Sequence, residues 1–359
     1  MSDRHLASIG VLAIVSAIVS LAPVSLTGQV RGAGANAAKA AATKTWTPPR
    51  TPDGRPDLQG VWVNNSATPL ERPKALEGRQ SLTDEQVSEL KKRAARLFDV
   101  NGNSDFAGGD DLFLAALANP ERFKNPNATG SSAAMVEREF DNRTSLIVEP
   151  SDGRIPQLTP QGLQRRAAPY AAAAGQRPPA GPEDIRNDLR CITFGMPRLG
   201  GNSASYNSYY QILQTAGYVV LVGEVIHDAR IIPLDERPHL PQNIRQWHGD
   251  SRGRWEGNTL VVDTTNFSPN SNFMGSAENL HVVERFTRVA PGTINYEITL
   301  DDPTTWTKPW TAVIRLKQTQ DKMFEYACHE GNYLTMTGML AGARAEEKAA
   351  EEAAKKGSK

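Results

Sequence analysis

The 359-residue chain is short of several things, and each shortage removes a class of function. It lacks net charge, 40 Lys and Arg balancing 40 Asp and Glu, so no long-range field draws it to nucleic acid or to an anionic membrane. It lacks a phosphate-cradling glycine loop and a dinucleotide fingerprint, which argues against a redox cofactor or a nucleoside triphosphate; no cofactor is expected. Five of its six histidines fall between His227 and His329, yet no His-x-His pair sets two imidazoles on one face of a strand, and no metal is expected. Repeats of fixed period are absent. What it has in quantity is Pro (24) and Gly (29), a balance that favours a loop-rich β protein over a helical bundle.

Cysteine is scarce too. Only Cys191 and Cys328 occur, neither near the N-terminus, so a lipidated cysteine anchor is not expected. The N-terminus has the order of a secretory signal: Arg4 in a short polar start, an apolar run from Leu6 to Leu26, and the small-x-small site Ala35-Asn36-Ala37. The expectation is a signal peptide over 1–37, a flexible leader over 38–55, and a periplasmic or secreted product with no stable membrane insertion after cleavage. An uncleaved anchor is the alternative, because the apolar run approaches the roughly 20 residues that span a bilayer. In an oxidising compartment Cys191 and Cys328 are expected to pair, closing a loop long enough to contribute about 5 kcal/mol by chain entropy. Two free buried thiols are the other reading.

The chain then divides by pattern. Gly60-Val61-Trp62 reads as a first strand and resembles the Gly-x-Trp of lipocalins, where the Trp plugs one end of a barrel. Thr83 to Gln86 is a capping box opening a helix with Val87, Leu90, Ala94 and Leu97 at helical spacing. A short helical piece around Leu112 to Leu117, a strand over Thr144 to Glu149 and a helix over Thr159 to Ala174 complete a helical and loop-rich segment, 56–183. From Asn207 the pattern is strand after strand: Tyr209 to Gln214, Tyr218 to Val225, Ala229 to Leu234, Thr259 to Asn266, His281 to Val289, Thr293 to Leu300, Thr311 to Gln318 and Met323 to Cys328. They are joined mainly by tight turns and not by crossover helices, so the fold class is mainly β. The expected architecture is an antiparallel, lipocalin-like up-and-down barrel, or a sandwich, over 184–340. A charged helical tail follows, 341–359.

Between Tyr218 and Phe267, β-branched runs are crowded with ionisable and aromatic side chains, which strands seldom carry unless they are paired or used. Alternation sorts them by face. Glu224, Asp228 and Arg230 share one; His281, Arg285 and Thr287 share another, opposite Val282, Glu284 and Phe286. A polar-lined barrel interior would gather Glu224, Arg230, Asp263, His281 and Arg285, with Trp247 and Trp255 as flat apolar walls. His227, Asp263 and His281 are the candidate acid/base residues; Glu224, Arg230, Trp247, Trp255 and Arg285 are the candidate ligand contacts. Gly249-Asp250-Ser251-Arg252-Gly253 matches the Gly-x-Ser-x-Gly of a nucleophile elbow, but a turn and a strand follow it where the elbow needs a helix, so it reads as a tight loop.

The segments PDLQGVW, TPLERP, DGRIPQLTP, RCITFGMPR, IHDARIIPLD, GDSRGRWEGNTLVVDTTNF, VVERFTR, DDPTTWTKPW and YACHEGN together resemble an uncharacterised family of exported bacterial proteins, covering most of Pro56 to Asn332. Asn258 stands where that family usually shows Asp. The resemblance implies export and a shared site, and supplies no mechanism. The expected function is therefore an exported barrel binding a small, partly apolar organic molecule, with cofactor-free acid/base chemistry (lyase, isomerase or hydrolase) as its enzymatic form. A non-catalytic carrier and an envelope interaction protein without a ligand are the alternatives. Oligomeric state is open.

Overall fold

Side chains that alternate buried and exposed along Thr293–Asp301, with Ile294, Tyr296, Ile298 and Leu300 inward, show the period that builds the whole molecule. The computed structural model describes residues 46–96, 110–118, 138–173, 179–196, 208–271 and 273–357, all within the unit Trp46–Lys359. The expected signal peptide lies outside them. The stretch read as a leader carries, from Trp46 on, a hydrogen-bonded turn in which Thr51 N–H donates to Arg55 O and Asp57 N–H to Pro49 O.

Among the described residues ten strands form one antiparallel sheet: β1 (Gly60–Val63), β2 (Ile147–Glu149), β3 (Tyr209–Gln214), β4 (Tyr218–Gly223), β5 (Ala229–Pro233), β6 (Asp250–Glu256), β7 (Thr259–Thr265), β8 (His281–Ala290), β9 (Thr293–Asp301) and β10 (Trp310–Thr319). Their order is β5-β4-β3-β1-β10-β9-β8-β7-β6, with β2 also paired to β10. Each neighbouring pair from β3 to β5 and from β6 to β10 is consecutive in sequence, and the connections from β3 to β4, β6 to β7 and β8 to β9 are short turns. Gly257-Asn258 joins β6 to β7 with Gly257 at φ 59°, the left-handed conformation such hairpins favour. β1 is the exception, bridging β3 and β10.

The sheet curls. Arg230 on β5 and Glu284 on β8 are six strands apart in the order, roughly 29 Å in a flat sheet. Their side chains nevertheless meet at 2.6 Å. The edges also come together: a Cβ on Gly253 of β6 would lie 2.7 Å from Leu234 and 2.8 Å from Ile232. No ladder joins β5 to β6 among the described residues, so the sheet is curled but not closed by hydrogen bonds.

Inside the curl is an apolar core that includes Trp62, Ile212, Val262, Val282, Ile298 and Trp310. Trp62 is fully buried, its Nε1–H donates to Leu58 O at 2.8 Å, and the Arg288 guanidinium lies 5.4 Å from its ring. A second cluster joins α1 (Asp84–Ala95) to α2 (Asp111–Leu117) through Leu90, Ala94, Leu112 and Phe113. α1 opens with the capping box Thr83–Gln86 that the sequence shows. On α3 (Pro160–Ala173), a Cβ on Gly162 would sit 2.5 Å from Thr305 O, so only glycine allows this approach to the β9–β10 connection.

Two stretches differ from the sequence reading. Gly249–Gly253, which the sequence suggests is a tight loop, instead leads into strand β6 (Asp250–Glu256) from Asp250 on, because β7 lies in register with all seven residues of that strand. Met323–Cys328 is not a strand: β10 has no partner beyond Thr319, and Ala327 takes a positive φ of 21° before α4 (Cys328–Gly357) begins. That helix starts well before residue 341. Among the described residues no helix is long and apolar enough to cross a membrane.

Candidate functional site

The inward positions of β3, β4, β8 and β10 supply Ile212, Leu221, Phe286 and Leu316 as walls of a cavity on the concave side of the sheet. Phe286 stacks on Tyr296 at 4.4 Å with 14° between the rings, a flat aromatic wall. The cavity offers about 60 Å³ to the centre of a water-sized sphere, room for a compact organic molecule or a few waters. Its polar lining is Tyr210, Asp228, Arg230, His248 and Tyr296.

These polar groups form two constellations. In the first, Arg230 donates from Nη1 to Glu284 Oε2 at 2.6 Å and from Nη2 to Glu284 Oε1 at 2.9 Å, and the Tyr296 hydroxyl donates to Glu284 Oε1. Glu284 is fully buried, so this bidentate partner is what permits a carboxylate there. Burial, then the neighbouring Glu284 charge, pushes the Tyr296 phenol well above its ordinary range and keeps it a donor. Burial alone would weaken the Arg230 charge, but the Glu284 carboxylate overrides it and holds the guanidinium protonated. Three of the five guanidinium N–H groups remain without a partner among the described residues.

In the second constellation, Thr193 Oγ–H donates to Asp228 Oδ2 at 2.9 Å, and Phe194 N–H reaches the same oxygen at 3.3 Å. His248 Nε2 lies 2.9 Å from Thr193 Oγ1 and 3.4 Å from Asp228 Oδ1. The hydroxyl has one proton and gives it to the carboxylate, so towards His248 it acts as acceptor. Nε2 therefore carries the hydrogen, and in the neutral ring Nδ1 is the basic nitrogen. No partner on Nδ1 is seen among the described residues.

Local backbone places each member. Asp228 follows the turn Val225–His227, where Ile226 (φ 55°) and His227 (φ 44°) are both left-handed, a strained conformation for side chains with a Cβ. His248 precedes Gly249, whose φ is 69° and whose added Cβ would strike Thr265 O at 2.6 Å. Thr193 stands two residues after Cys191, which is disulfide-bonded to Cys328 at the start of α4. The expected bridge is therefore present, and it ties the Thr193 segment to the C-terminal helix.

On the convex face of β6, β7 and β8 lies a third polar group. His239 Nδ1 is 2.9 Å from Asp250 Oδ2 and its Nε2 is 2.9 Å from Asp263 Oδ1; His281 Nε2 is 3.0 Å from Asp263 Oδ2. Arg252 pairs with Asp250 at 2.7 Å, and Asp250 also accepts from Leu240 N–H. Burial alone would raise the Asp263 carboxyl, but hydrogen bonds and charge from His281 and His239 bring it below its usual range. The bond to Asp263 raises the His281 imidazole. Among the described residues no group of three or more His, Cys, Asp and Glu side chains could hold a metal ion.

Of the eight residues named from sequence as catalytic or ligand-binding, only Arg230 lines the cavity. Asp263 and His281 are together, as expected, but on the convex face; Arg285 is there too, paired with Glu256 at 2.9 Å. His227 is exposed. Glu224 is buried beside the chain after β10, its Oε2 3.4 Å from Phe324 N. Trp255 packs against the apolar core, and Trp247 is half-buried near Ser271, which donates to its carbonyl. Missed were Thr193, Asp228, His248, Glu284 and Tyr296. One signal was available: Glu284 sits between Val282 and Phe286 on an otherwise apolar face, where a lone carboxylate needs a buried cation. No protein-family model, curated protein or solved structure matches this chain.

Proposed function

We propose that the chain is an exported, lipocalin-like binding protein that takes a small, partly apolar organic molecule into the concave cavity and acts on it by acid/base chemistry without a cofactor. The observation that carries this reading is the meeting, in one apolar cavity, of a histidine with a fixed tautomer and a buried guanidinium with uncommitted N–H groups. His248 is the base, Asp228 and Thr193 are its positioning residues, and Arg230 supports developing negative charge on the substrate. The curled sheet and the buried Trp62 under Arg288 support a barrel-like container, and the disulfide is compatible with an oxidising compartment. The resemblance to exported bacterial proteins points the same way.

Native mass spectrometry of the folded chain, against its denatured mass, reads any retained molecule. His248→Ala should keep that molecule while losing turnover by roughly 10²–10⁴-fold. Retention without turnover in either protein would make the chain a carrier. An empty protein that binds nothing in a small-molecule screen would remove the reading.

A further inference from the structure

The lining of the cavity also restricts the charge of what enters, an inference that rests on the cavity being the binding site. Arg230 and Glu284 cancel, and Asp228 adds one negative charge, which His248 offsets only when its ring is protonated. In neither state of His248 do these groups carry a net positive charge. An anionic ligand would therefore add a further negative charge beside Glu284 and Asp228, where the described lining has no net positive charge to offset it. A cationic ligand would face the uncommitted N–H side of the same guanidinium. What complements that side is a neutral acceptor, and what complements the Phe286–Tyr296 wall is a flat ring. Tyr296 has already given its hydrogen to Glu284, so its oxygen can only accept, whereas Arg230 keeps N–H groups that can orient a ligand oxygen.

We infer that the cavity selects a neutral, planar molecule bearing a carbonyl-type oxygen, bound with that oxygen towards Arg230, and that it rejects carboxylate and amidinium molecules of the same shape.

Benzamide, benzoate and benzamidine form the test, because they share size and planarity and differ in charge at pH 7. Saturation-transfer NMR titrations of the folded chain should show benzamide binding at least about tenfold more tightly than either charged probe. Met196→Trp, placed at a lining position outside the two polar constellations, should suppress the benzamide signal. Benzoate or benzamidine binding as tightly as benzamide, with that signal suppressed by Met196→Trp, would overturn the charge selection and leave the cavity as the site. Signals untouched by Met196→Trp, or no binding by any probe, would overturn the cavity reading and the selection with it.

Discussion

The strands β7 and β8 carry two polar clusters back to back. On the concave face Glu284 is fully buried and held by Arg230 and Tyr296; on the convex face Asp263, 29% exposed at its side chain, is held by His239 and His281. Both are networks of a carboxylate with its donors, yet their environments make them different objects. The concave pair lies in low dielectric, where losing one partner strands a charge. The convex network is open to water, which substitutes for lost partners and screens the rest.

Breaking each cluster should expose that difference. Glu284→Gln leaves Arg230 buried without its counter-charge and should lower stability by about 3–5 kcal/mol, read by denaturant unfolding. Adding Arg230→Met to Glu284→Leu should recover most of the loss, because an apolar pair of similar volume removes the stranded charge; failure to recover would mean that the pair is not what stabilises the site. Next in size is the disulfide. Cys191→Ser with Cys328→Ser should cost about 2–4 kcal/mol and weaken ligand binding through the Thr193 segment.

The smallest effect belongs to the convex face, where Asp263→Asn should cost about 1 kcal/mol or less. Its signature is in pH dependence. The His281 contribution, raised by Asp263 and by the nearby Asp301, is fully present below about 6.5 and lost as pH rises through the higher folded value. The Asp263 contribution is present above about 3.9 and lost as pH falls through its lowered folded value. Asp250 and Arg252 face the same cluster and remain paired in the variant. Denaturant midpoints measured across both windows should therefore flatten in Asp263→Asn; an unchanged profile would mean that these groups do not set it.

The comparison also marks what could be read from residues alone. Alternation correctly put His281 with Arg285 and Glu284 with Phe286, since a period of two is a property of the chain itself. Which of those faces becomes concave depends on the curl, and the curl is set by contacts such as Gly253 against Ile232 that are distant in sequence. The richer polar face faces outward, and the single carboxylate among apolar neighbours, Glu284, marks the interior. Strands with tight turns were legible almost to the residue, as at Tyr209–Gln214, and so was the helix cap at Thr83. β6 was not, because Asp250 and Arg252 read as loop until β7 and the convex network give them partners. His248 was hidden for a related reason. Its role comes from Thr193 and Asp228, which reach it from other parts of the chain.

The position of β1 also bears on how the molecule is made. The strand that emerges early from the ribosome is the seam between β3 and β10, and its partner Thr319 is among the last residues of the sheet to appear. Without the β1–β10 ladder, no sheet hydrogen bonds join the half made of β1 and β3 to β5 to the half made of β6 to β10. Joining the two halves therefore needs a contact between residues as far apart as Val61 and Thr319, the kind of non-local pairing that carries the largest loop-closure cost.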